Sequence, residues 1–118
     1  MTQVIENFFA TWGMTDSAAR DAALRDCLAE EFYYVDPSAP EPITDAAALV
    51  AYVAMFTEYA PGATARVVAL SETKGHNRAT VEFETADGTK QYGQYMIDLD
   101  KAGKATRMIG FVGLGAPA

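Results

Sequence analysis

The hydrophobic period of this chain changes once, at Pro61 and Gly62, and that change narrows the folds open to it more than any other feature. Before the pair, apolar residues recur at helical spacing. After it they alternate, as strands with one buried face require. Val4, Ile5, Phe8, Phe9 and Trp12 form one face of an amphipathic helix, with Thr2 as N-cap and Gly13 as its end. A second helix is expected to start near Thr15, Asp16 or Ser17. It runs through Ala19, Ala23, Cys27 and Leu28, with its acids and arginines on the outer side. The aromatic and β-branched run from Phe32 to Asp36 predicts a short strand entering a turn. Pro37, Pro40 and Pro42 then make residues 37 to 43 a stiff loop. Thr44 and Asp45 cap a third helix carrying Ala46, Leu49, Val50, Val53, Phe56 and Thr57, and Pro61 stops it.

In the second half, the stretches 63 to 73, 78 to 85, 90 to 99 and 106 to 112 predict four strands, with Asp87 and Gly88 as a two-residue hairpin turn. The order is helix, helix, strand, helix and a four-strand meander, an α+β arrangement. A chain of 118 residues has room for one such domain, residues 1–118, with Leu114 to Ala118 expected to be loose. Lys90 to Leu99 places Tyr92 and Met96 on one side and Tyr95, Ile97 and Leu99 on the other. One side is expected to pack on the helices and the other on a second copy, giving a homodimer through the outer sheet face.

Composition removes several function classes. Cys27 and His76 are the only residues of their kinds, so no disulfide, no multi-cysteine site and no histidine-rich metal centre is expected. A net charge of −7 argues against nucleic acid and anionic membranes as partners. Residues 1 to 60 carry two bases against ten acids, a net of −8, so the acidity belongs to the first half. The apolar run from Ala46 to Phe56 is far shorter than the roughly 20 residues of a membrane span. The first residues have no signal-peptide pattern, and a cytoplasmic location is the expectation.

Asp36 is the first candidate for chemistry. In a strand, Tyr34 and Asp36 point to the same side, so a core-facing Tyr34 takes Asp36 inward with it. A carboxylate in an aromatic pocket is a route to a general base near neutral pH. The same residue before Pro37 also suits a plain turn start. Trp12, Tyr34, Tyr52, Phe56, Phe83 and Tyr95 are enough aromatic surface to line a pocket or to fill a core. His76 reads as an exposed turn residue, with access to a cavity mouth as the alternative. Ser17, Ser38 and Ser71 lie in no nucleophile elbow. Asp98 to Gly103 starts like a calcium loop but has Ala102 and Ile109 at ligand positions, so it predicts a hairpin turn. Gly110, Gly113 and Gly115 have the wrong spacing for a dinucleotide site.

In this order of elements the chain resembles the NTF2-like proteins, specifically the SnoaL-like branch with its polyketide cyclases and ketosteroid isomerases. The resemblance covers nearly the whole chain. It rests on Trp12, on Phe32 to Pro37, on Pro61 and Gly62, and on Asp98 to Lys104 before a strand ending in Gly110 and Phe111. It implies a cone in which three N-terminal helices pack in a curved, mainly antiparallel sheet, a cystatin-like α+β barrel around a pocket for an apolar small molecule. It implies dimers through the outer sheet face. It also implies a cofactor-independent isomerase or cyclase with Asp36 as general base on a carbonyl compound, since isomerases of this kind use an aspartate and an oxyanion hole. Tyr95 stands at the position of one oxyanion donor and Trp12 at that of the other, where the isomerases have a tyrosine. The pocket set is then Trp12, Tyr34, Tyr52, Phe56, Phe83 and Met108. No Asp-Arg-Asp trio like that of the limonene epoxide hydrolases can be placed. The alternative on the same fold is a non-catalytic ligand-binding or assembly module.

Overall fold

The computed structural model describes residues 2–115, and the end of the tail expected to be loose, residues 116–118, lies outside them. Its elements come in the expected order. Helix α1 spans Gln3–Ala10 and tightens into a 3₁₀ turn at Thr11–Gly13. Its apolar face is buried at Ile5, Phe8, Phe9 and Trp12. Thr2 holds the N-cap position without a side-chain bond. Helix α2, Ser17–Asp26, is capped by Asp16, whose side chain accepts from the amides of Ala18 and Ala19. Helix α3, Ala46–Tyr59, is capped in the same way by Asp45 on the Ala48 amide. Each such cap is worth about 1 kcal/mol.

The second helix departs from expectation in which face it buries. Arg20, Leu24 and Cys27 form the inner stripe, one position round from the Ala19 and Ala23 stripe, and Ala19 is exposed. Arg20 is drawn in because its guanidinium donates to the Met14 carbonyl at 3.1 Å and to Thr57 Oγ1 at 3.4 Å. Arg25 does stay outside, paired with Asp21. The helix also stops at Asp26, and Leu28 already belongs to the first strand.

The strands are β1 (Leu28–Val35), β2 (Thr64–Thr73), β3 (His76–Glu84), β4 (Lys90–Leu99) and β5 (Ala105–Val112). They form one five-stranded sheet in the order β1, β5, β4, β3, β2. The meander β2 to β5 is antiparallel throughout, whereas β1 pairs β5 in parallel, with Tyr34 opposite Met108. Irregular registers in β1, β2 and β4 bend the sheet, as bulges do. It curves round the helices without closing, since β1 and β2 are its two ends. The cone is therefore an open sheet and not a closed barrel.

Alternation along each strand puts Ala65, Val81, Tyr95, Ile97, Met108 and Tyr34 on the inner face, against Phe8, Phe9, Leu49 and Val53. Burying side chains of this size stabilises by about 1.5–3 kcal/mol each. The outer face leaves Met96 and Phe111 about half exposed, at 50% and 54%.

Candidate functional site

The site is built where β1 ends. Tyr34 points inward and is fully buried, so Asp36, two residues on, enters the same interior and is only 8% exposed. Its carboxylate accepts from four groups. The amides of Ser38 and Ala39 donate to Oδ1, both at 2.9 Å, which closes the turn that starts the proline-rich loop. The Tyr34 hydroxyl donates to Oδ2 at 2.5 Å. The Tyr52 hydroxyl, from α3, lies 2.7 Å from Oδ1 and 2.9 Å from Oδ2. Asp36 thus starts a turn and also stands in an aromatic interior.

Tyr95, from β4, extends the cluster, with its hydroxyl 3.3 Å from that of Tyr34. Gly110 of β5 makes room for it. A methyl group there would sit 2.6 Å from the Tyr95 ring and 3.1 Å from the Asp36 Cβ. Burial raises the phenol of Tyr34 well above its ordinary value, helped by the nearby oxygens of Tyr95 and Asp36. Tyr52 and Tyr95 are raised by burial first, Tyr52 also through its bond to Asp36 and Tyr95 by the charge of Asp36. All three remain hydroxyls at neutral pH.

Beside this cluster lies a cavity of about 470 Å³. That is within the range of small-molecule sites. Trp12, Tyr52, Phe56, Phe83 and Tyr95 line it, together with Asp36 and Pro37. Tyr34 and Met108, expected in the lining, stand behind the wall in the core, because their parallel pairing buries both completely. The Trp12 indole nitrogen is buried without a partner. A smaller recess of about 180 Å³ shares Trp12, Ala60 and Ala63 with the cavity and is lined by Arg20.

Other candidates fall elsewhere. His76 begins β3, exposed, with Nδ1 2.6 Å from Asp98, and does not line the cavity. Asp98 to Gly103 is a hairpin turn, in which Asp100 accepts from the amides of Ala102 and Lys104. Among the described residues no cluster of His, Cys, Asp and Glu could hold a metal ion. Burial pushes the Cys27 thiol up to about 11, which makes it a poor nucleophile. The partnership of Tyr52 with Asp36 and the clearance at Gly110 were not foreseen. Only the aromatic character of the first and the bare presence of a glycine at the second were visible in sequence.

No family model matches the chain, and no curated protein matches it. Solved structures do. A protein of the SnoaL-like family from Agrobacterium tumefaciens superposes with a TM-score of 0.83 at 20% identity, over 97% of this chain and 100% of its own. A protein with a ketosteroid isomerase-like fold from Catenulispora acidiphila, solved in complex with trimethylamine, superposes with a TM-score of 0.77 at 12% identity, over 95% of this chain and 86% of its own. An LEH-like epoxide hydrolase from M. tuberculosis gives 0.68 at 9% identity, over 94% and 80%. The fold is that of the NTF2-like proteins, the superfamily to which the sequence resemblance pointed. No helix of the described residues is long and apolar enough to cross a membrane.

Proposed function

We propose that the chain binds an apolar small molecule in the cavity, with the Asp36 cluster as the polar end of the site. The carrying observation is a cavity of about 470 Å³, lined by aromatic rings and by a buried carboxylate held by Tyr34 and Tyr52. A carboxylate that only ordered a turn has no need of a tyrosine reaching it from α3. The Catenulispora protein, solved in complex with trimethylamine, supports this fold as one that can take a small molecule. Trp12 is the only tryptophan and lines the cavity. Titrating its fluorescence with amines, ketones, steroids and hydroxylated aromatics is expected to give saturable quenching with at least one class. A flat response across the panel refutes the reading.

A second reading makes the site catalytic, with Asp36 as general base on an apolar carbonyl compound and Tyr95 and Trp12 as donors, and no cofactor. It is favoured by one observation. Tyr52, the donor that touches both carboxylate oxygens, is itself a cavity residue, so an entering substrate can take its place. Asp36→Asn is then expected to abolish turnover of an identified substrate, and unchanged turnover removes the assignment.

The outer sheet face carries a proposal of its own, a homodimer built on Met96 and Phe111. Sedimentation is expected to give a dimer that Phe111→Glu converts to a monomer. A monomeric unmodified protein refutes it.

A further inference from the structure

The hydroxyl protons around Asp36 can be counted. Tyr34 and Tyr52 have one each, and both lie on Asp36. With the Tyr34 proton committed, the 3.3 Å contact between Tyr34 and Tyr95 has to be made by the Tyr95 proton. All three protons therefore run toward the carboxylate. What this cluster offers a guest is the lone pairs of Tyr52 and Tyr95, over one negative charge. Of the other polar side chains of the lining, Ser38, Tyr59, Thr85 and Gln91 are exposed, the Tyr92 hydroxyl is committed to Glu82, and the Trp12 indole N–H is buried without a partner.

The charge of the lining points the same way. Asp36 and Glu84 line the cavity, and no Lys, Arg or His does so among the described residues. The four donors on Asp36 are two amides and two phenols, all neutral. They hold its charge in place and leave it uncancelled. The walls, Trp12, Phe56 and Phe83, have ring faces that attract cations. A ketone or carboxylate at this cluster meets lone pairs with lone pairs. A protonated amine meets them with N–H donors and a positive charge, and its apolar body suits the aromatic walls.

We propose that the cavity selects a protonated amine with an apolar body, its ammonium group set between the Asp36 cluster and the aromatic wall. This rests on reading the cavity as a ligand site and names the class of ligand. It does not depend on the catalytic reading, in which the Tyr95 proton would have to turn away from Tyr34 and the Trp12 indole N–H is the other donor.

Three probes of one shape class test it by Trp12 fluorescence: N,N-dimethylbenzylamine, protonated at neutral pH, isobutylbenzene, with carbon in place of nitrogen, and the ketone benzylacetone. The amine is expected to bind tenfold or more tightly than either. In Asp36→Asn the carboxamide donates to a tyrosine oxygen and turns a phenol proton toward the cavity. Amine binding is expected to fall at least tenfold there, and the gap to the ketone to close. Tyr52→Phe keeps the carboxylate and its two amide bonds, so it is expected to keep the amine preference even where the asparagine variant fails to fold. A ketone or hydrocarbon that binds as tightly as the amine overturns the charge selection while the cavity stands as a ligand site. Loss of the preference in Tyr52→Phe, with the fold intact by circular dichroism, also overturns it. Silence with all three probes removes the ligand site and this inference together.

Discussion

Asp36 and Glu82 are acids shut away from solvent on opposite faces of the same fold, at 8% and 5% exposure, and they are stabilised by different means. Glu82 lies on the outer face under Arg66 at 3.0 Å and Lys90 at 3.9 Å, with the Tyr92 hydroxyl on its other oxygen. The bond from Arg66, then that from Tyr92, holds its carboxyl below the ordinary value. Asp36 has neutral donors alone. Both satisfy their oxygens, but only Glu82 has its charge cancelled where it sits. A satisfied hydrogen-bond count therefore does not make an acid electrostatically silent. The inner face keeps a field at the cavity that the outer face has neutralised.

The largest way to break this contrast is Asp36→Ala. It leaves two buried or half-buried phenols and two turn amides without their acceptor, and unsatisfied buried groups cost about 1–3 kcal/mol each. A loss of about 3 kcal/mol or more is expected in urea denaturation. A loss below about 1 kcal/mol refutes the central role given to Asp36. Gly110→Ala tests the same cluster from β5. Its methyl group must displace the Tyr95 ring 2.6 Å away, and overpacking of this kind costs about 1–3 kcal/mol. A stability equal to the unmodified protein shows that the ring has room to move.

Alkali sharpens the comparison, because the inner face holds three raised phenols. A group whose folded value lies above its unfolded one keeps its stabilising effect below the unfolded value and loses it as pH rises. For Cys27 that window runs from 9.0 to about 11, and for Tyr34, Tyr52 and Tyr95 it opens at 10.0. Thermal stability is expected to hold to about pH 9 and to fall steadily above it. A flat profile to pH 11 contradicts the burial of these groups. The smallest effect belongs to Glu82→Gln, where the partners Arg66 and Lys90 are themselves exposed. It is expected to lower the melting temperature slightly in dilute buffer, by an amount that added salt erases. Salt-insensitive loss there indicates that packing, and not charge, holds the outer cluster.

Much of the fold was legible because it depends on local chemistry. The alternation of Lys90 to Leu99, the caps at Asp16 and Asp45, and the stop at Pro61 all act within a few residues of themselves. The inward turn of Asp36 was legible for the same reason, since strand parity carries it with Tyr34. Arg20 was misplaced because its partners, Met14 and Thr57, lie on other elements and outweigh the stripe of alanines beside it. The same distance along the chain hid the Tyr52 bond to Asp36 and the burial of Met108 behind Tyr34.

By itself the sequence determined the order of elements, the faces of the strands and the presence of an acid among aromatics, because period, capping and turn chemistry are properties of neighbours in the chain. Only the tertiary structure decided that β1 joins β5 in parallel, that the sheet stays open, and that two tyrosine hydroxyls meet on one carboxylate with a third beside them. Those outcomes depend on which distant groups come within about 3 Å of each other, and hydrogen bonds act only at that range.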